Sequence, residues 1–156
     1  MSPRPASAPF RRQSGAAAVE LALLLPFFVL LMSVLLFLGR YMWHYTAAQK
    51  AAQDASRYLS AISVQEMRDP ALAPAAAAVA GEIVHMELDE LNSGGIGPRI
   101  TIQCGGRPCH GVTINPLPET VTVMIEMNMF DHIFGIDLGR YGLPLNVRSE
   151  VRYVGN

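Results

Sequence analysis

Between Ala16 and Gly39 the chain runs for 24 residues with one charged side chain, Glu20, and one proline, Pro26. As an α-helix this stretch is about 36 Å long, enough to cross a hydrocarbon layer of about 30 Å with some tilt. A chain of 156 residues builds too small a core to enclose such a segment on every face. The run therefore reads as a membrane span. Composition agrees: hydrophobic residues make up 51% and charged residues only 16%, against roughly 25% charged in a soluble domain. A net charge of -1 supplies no basic field for nucleic acid.

The flanks give the span a direction. Arg4, Arg11 and Arg12 precede Glu20 with no acidic residue among them, which keeps the N-terminus in the cytoplasm and sends the C-terminal part to the periplasm. Arg40, Trp43 and Tyr45 close the far end as interfacial anchors. The run is too long for a secretory signal, whose apolar core spans about 7–15 residues.

Helical periodicity continues past Gly39. Tyr41, Tyr45, Ala48, Ala52, Ala55, Leu59 and Ile62 recur at alternating steps of four and three, and no glycine or proline interrupts residues 40–62. This is one stripe of an amphipathic helix. Its other faces carry Gln49, Lys50, Gln53, Asp54 and Arg57, with Lys50–Asp54 and Asp54–Arg57 at pairing distance. The pattern predicts one long helix that ends before Asp69-Pro70. A second, shorter helix follows, with Leu72, Ala76, Val79, Ile83 and Met86 on one stripe, Pro74 in its first turn and Asn92-Ser93-Gly94-Gly95 as its stop.

From residue 98 the period changes to two. Ile100, Ile102 and Cys104 alternate with polar neighbours in RITIQC; Val121, Val123, Ile125, Met127 and Met129 share a face in TVTVMIEMNM; Leu145, Val147, Val151 and Tyr153 oppose Asn146, Arg148, Glu150 and Arg152. These are half-buried strands of an antiparallel sheet. A shorter strand is expected at Gly111–Asn115, and residues 131–144 read as a connecting loop. The fold class is α+β: a long N-terminal transmembrane and amphipathic helix, with a short second helix packed on a small antiparallel sheet.

Little in the sequence resembles an active site. Cys104 and Cys109 stand in CGGRPC, where two glycines and Pro108 describe a turn between two strands. In an oxidising compartment a structural disulfide is expected there, and the gap of four residues is not the gap of two that redox enzymes use. Free thiols are the alternative. A zinc site on Cys104, Cys109 and His110 lacks a fourth ligand. His44, His85, His110 and His132 are scattered, and Asp131-His132 has no nucleophile or metal partner at recognisable spacing. No phosphate loop or nucleophile elbow appears. The methionines at 124, 127 and 129 read as strand packing. No catalytic residue, metal or cofactor is expected.

Glu20 remains to be explained. A carboxylate inside a membrane helix costs about 2–3 kcal/mol unless something offsets it. Cutting the chain after Gly15 would create a cation, the α-amino group of Ala16, four residues from Glu20. Arg-Arg, Gly15, a small residue at position 16, Glu20 and an unbroken apolar helix resemble the pattern cut by prepilin peptidases. More narrowly, SGAAAVELALLLP resembles the N-terminus of TadE-like proteins, the pseudopilins of the tight-adherence (Flp-type) pilus system. Gly15, Ala16, Val19, Glu20, Ala22 and Pro26 match that family's pattern, while Leu21 replaces its usual aromatic residue. The stretch ending in Asp54-Ala55-Ser56-Arg57-Tyr58 is also similar to the family's, so the resemblance covers about residues 11–60.

The resemblance implies a pilin-like minor subunit with no enzymatic activity. It implies a cytoplasmic leader at residues 1–15, removed by cleavage between Gly15 and Ala16, and a transmembrane helix at 16–39. A periplasmic extension of that helix would span 40–69, and a helix-plus-sheet domain 70–156. Implied partners are the prepilin peptidase, other pilin and pseudopilin subunits, the inner-membrane assembly platform and membrane lipid, with Glu20 as the assembly residue. The alternatives are an uncleaved membrane-anchored periplasmic binding domain and a pseudopilin of a related secretion system. Catalysis is the remotest class.

Overall fold

The computed structural model describes residues 14–91, 97–109, 116–131 and 139–155. The chain divides into two compact units between Phe37 and Leu38. Its elements, in order, are helices α1 (Ser14–Ala61), α2 (Val64–Arg68) and α3 (Leu72–Leu88), then strands β1 (Arg99–Cys104), β2 (Arg107–Pro108), β3 (Thr120–Met129) and β4 (Leu143–Arg152). The fold is α+β, with one long apolar N-terminal helix of the kind that forms a single-pass membrane anchor.

In the first unit, the large apolar side chains from Val19 to Leu36 are exposed. Among the described residues nothing covers them, which is the condition of a helix whose solvent is lipid or another subunit.

In the second unit the sheet is antiparallel, in the order β2-β1-β3-β4. Its register pairs Ile100 with Ile125 and Ile125 with Val147, and Ile102 with Val123 and Val123 with Ser149. The period-two residues of all three long strands thus share one face, and Val121, Val123, Ile125, Met127, Met129, Leu145 and Val147 are buried there. Asn146, Arg148, Glu150 and Arg152 lie on the exposed face. The turn from β1 to β2 uses Gly105 and Gly106, with φ of 61° and 78°. Positive φ at both central residues is what a two-residue hairpin turn matching the twist of its strands requires.

The second part of α1 contributes Ala48, Ala51, Ala52, Ala55, Ser56, Leu59 and Ser60 to the same core, and Ile62 joins them just past its end. Ser56 Oγ donates to the Gln53 carbonyl at 3.0 Å, which leaves the Ser149 hydroxyl as donor in the buried Ser56–Ser149 bond at 2.8 Å. Further on, the backbone N–H of Val154 donates to the Ser60 carbonyl at 3.1 Å, and Tyr153 Oη donates to the Ile62 carbonyl at 3.0 Å. β4 and this part of α1 therefore advance in the same direction.

Three expectations are corrected. The long helix does not run on to Asp69-Pro70: it ends at Ala61, and a separate turn of helix, α2, follows. Ser63 and Glu66 form a capping box, the Glu66 N–H donating to Ser63 Oγ and the Ser63 N–H to Glu66 Oε2. Satisfying the first backbone donors of a new helix is what interrupts the old one. Second, the stripe expected to bury α3 is the wrong one. Ala73, Ala77, Ala80, Val84 and Leu88 face the core, whereas Leu72, Val79 and Met86 are exposed. The alanines let the first half of α3 approach closely, and Val84 and Leu88 fill the core beside its second half. Third, the connecting loop is shorter at its C-terminal end than expected, because β4 already begins at Leu143. The expected strand at Gly111–Asn115 and the helix stop at Asn92–Gly95 lie outside the described residues.

Candidate functional site

Two places carry the residues singled out by the sequence. The first is the opening of α1. Gly15, Ala16 and Glu20 lie in its first two turns and are exposed. A Cβ built on Gly15 meets nothing within 4 Å, and its φ is not among the positive ones. In a helix interior glycine is about 1 kcal/mol less favourable than alanine, and no contact among the described residues demands it in this first turn. Among the described residues no ion-pair partner stands beside Glu20.

The second is the β1–β2 turn. The Sγ atoms of Cys104 and Cys109 stand at disulfide distance, with their Cα atoms 5.1 Å apart. Both side chains are buried. Cys104 opposes Val121 on the core face of the sheet, so the pair is part of the packing and offers no surface for chemistry. His110, the remaining residue of the weighed zinc site, lies outside the described residues, as does His132. Among the described residues no three His, Cys, Asp or Glu side chains gather as metal ligands.

Other polar groups have structural partners. Lys50 Nζ bridges Asp54 Oδ2 at 3.2 Å and Glu87 Oε2 at 3.1 Å, tying α1 to α3. The hydrogen bond from Glu87, then that from Asp54, raises the Lys50 ammonium above its ordinary value. The expected Asp54–Arg57 pair is not among the ion pairs of the described residues. His44, placed by the sequence at the membrane edge, is fully buried in the second unit. Its Nδ1 donates to the Arg40 carbonyl at 2.9 Å, and the buried Nε2 has no hydrogen-bond partner among the described residues. No sequence signal separated His44 from the exposed Trp43 beside it.

An apolar helix whose large side chains are exposed, with one carboxylate near its start and an α+β unit that takes in its second half, fits a single-pass membrane anchor. Residues 15–57 match the family model for TadE-like protein. The matched segment contains Gly15, Ala16, Glu20 and the alanine face of α1, and relates the chain to the tight-adherence pilus system. No curated protein and no solved structure matches the chain.

Proposed function

We propose that the protein is a minor pilin-like subunit that assembles with, or initiates, a tight-adherence pilus. It is made with the leader 1–15, cut between Gly15 and Ala16 by a prepilin peptidase, and held in the inner membrane by residues 16–39 with the remainder periplasmic. Its work is structural, and the energy and chemistry of assembly come from its partners. The observation that carries this reading is Glu20: one carboxylate, with no ion-pair partner among the described residues, on a helix otherwise built for hydrocarbon. A plain anchor has no use for it.

Cleavage supplies the missing cation. The new α-amino group of Ala16 lies one helical turn from Glu20, and an identical ammonium is offered by each neighbouring processed subunit. At a separation of about 4 Å and an effective dielectric of about 20, such a pair gains about 4 kcal/mol before desolvation is subtracted. That favours the one axial register in which amine meets carboxylate. Gly15 fits the same scheme, since a peptidase must accept backbone closely at the scissile bond and the chain itself leaves the position open.

The test compares wild type with Glu20→Val at equal membrane abundance, recovering crosslinked pilus components from each. The variant inserts normally, because it removes a buried charge, and loses partner subunits. Undiminished partner recovery would remove the assembly role of Glu20. In the same experiment the intact mass of wild type lacks residues 1–15, whereas Gly15→Val accumulates the longer form. A wild-type mass that retains the leader overturns the processing step.

A further inference from the structure

We propose that the turn leading into β4, Gly139 to Gly142, is a second membrane contact, in which Arg140 and Tyr141 hold the lipid headgroup layer from the sheet side of the second unit. This rests on the reading of residues 16–39 as a membrane span.

The turn is built to present these two side chains. The N–H of Gly142 donates to the Gly139 carbonyl at 3.4 Å, closing a four-residue turn with Arg140 and Tyr141 at its centre. Gly139 and Gly142 have φ of 75° and 68°, while Arg140 and Tyr141 keep ordinary negative φ. A Cβ on Gly142 would lie 2.7 Å from the Met129 carbonyl oxygen, so the turn is pressed against the end of β3 and only glycine fits. Arg140 is exposed and Tyr141 is 75% exposed. A large aromatic ring held out by a tight turn is an unusual use of apolar surface in water. At a lipid interface it is the expected one, where tyrosine places its ring among the headgroups and arginine meets phosphate.

The level of the turn can be read from α1. Ser149 of β4 meets Ser56 of α1, and the two elements advance together towards Val154 and Ser60. Going back from Ser149 to Leu143, where β4 begins and the turn adjoins it, covers six residues of strand, about 20 Å. At 1.5 Å per residue, the same distance along α1 leads from Ser56 back roughly 13 residues, to Trp43. That is where the apolar run ends and where Arg40, the exposed Trp43 and Tyr45 stand. The two sets share one level, and both lie in the unit that begins at Leu38. A headgroup layer that takes up Trp43 and Tyr45 therefore reaches the turn as well. The headgroup chemistry that fits an arginine beside a tyrosine is anionic phospholipid.

The chain contains one tryptophan, Trp43, which makes the test direct. The full chain is reconstituted into vesicles of phosphatidylcholine and phosphatidylglycerol carrying bromine at shallow acyl positions, and indole quenching is measured. Three versions are compared: wild type, Trp43→Phe/Tyr141→Trp and Trp43→Phe/Val154→Trp. Val154 is exposed and sits at the far end of the unit, beside Ser60. Quenching in wild type and at position 141 should be several-fold above that at position 154. Quenched wild type with equal, weak quenching at 141 and 154 overturns the proposal while leaving the span intact. Absence of quenching in wild type overturns the span itself. Adding Arg140→Glu to the position-141 probe should lower its quenching with phosphatidylglycerol present and much less in phosphatidylcholine alone. An equal loss in both lipids would overturn the anionic preference.

Discussion

The two parts of α1 are made of one continuous helix and bury opposite kinds of residue. From Val19 to Leu36 the side chains are mostly leucine, phenylalanine, valine and methionine, and these large ones are exposed. From Ala48 to Ile62 the side chains in the core are mostly alanine and serine, and they are fully buried. Ranked by hydrophobicity the first part should be inside and the second outside. What separates them is size. A helix lies close on a sheet or another helix when its contact face is small, whereas lipid accommodates large side chains in any direction. Burial within this chain follows the fit of one element on another, and exposed hydrophobicity marks the surface that needs a different solvent.

Matched truncations give the largest expected effect. Leu59 is buried in the core cluster and Leu24 is exposed in the first part of the helix. Leu59→Ala should lower the stability of the folded unit by about 2–5 kcal/mol, through lost burial and the cavity left behind. Leu24→Ala deletes the same atoms from a face the chain does not cover and should leave that stability unchanged. The measurement is urea unfolding of the full chain in mild detergent, followed by Trp43 fluorescence. A comparable loss in both variants would show that the first part of α1 is packed inside the protein after all.

The converse substitution tests size itself. Ala52 is fully buried, and Ala22 is exposed. Ala52→Leu adds volume where α1 meets the core and should cost about 1–3 kcal/mol, while Ala22→Leu should be neutral to folding. If Ala52→Leu were neutral too, close approach would not be what the alanine face provides.

The same distinction explains which features were legible in the sequence. The three long strands were, because alternation leaves only one way to bury Val121, Val123, Ile125 and their cross-strand partners. So were the apolar run and the Cys104–Cys109 turn, whose glycines fix its conformation locally. The face of α3 was not. Its larger residues, Leu72, Val79 and Met86, form a regular stripe, and so do Ala73, Ala77 and Ala80; periodicity alone prefers the more hydrophobic set. Only the helix-to-core distance decides for alanine, and that distance is a tertiary quantity. The break at Ser63 was written locally, as Ser-x-x-Glu, but inside an unbroken amphipathic pattern that outweighed it. For the candidate site, Gly15 and Glu20 were visible because they violate the rules of their own segment, whereas buried His44 violated none.

The smallest expected effect lies in the polar links at the two ends of the packed region, and it appears only in alkali. Burial pushes the Tyr153 phenol above its ordinary value, with the nearby Glu66 carboxylate adding to the rise and Arg68 opposing it. Lys50 is raised by Glu87 and Asp54. A group whose value is raised by folding contributes fully below its unfolded value, and that contribution is lost as pH climbs through the folded one. The unfolded values are 10.0 for Tyr153 and 10.5 for Lys50, so the stability of the second unit should hold level to about pH 10 and decline above it. Tyr153→Phe removes one contributor to the decline, and at neutral pH removes the hydrogen bond to the Ile62 carbonyl, worth about 1 kcal/mol. The variant should therefore be the weaker protein at pH 8 and lose less than wild type on going to pH 11. Salt offers the separation from Lys50, because that pair is exposed and screened while the tyrosine effect stems from desolvation. Urea midpoints for wild type and Tyr153→Phe across this range, at low and high salt, decide the matter. Parallel curves at both salt concentrations would mean that Tyr153 titrates alike in the folded and unfolded chains, and that its contact with the end of α1 does not exclude water.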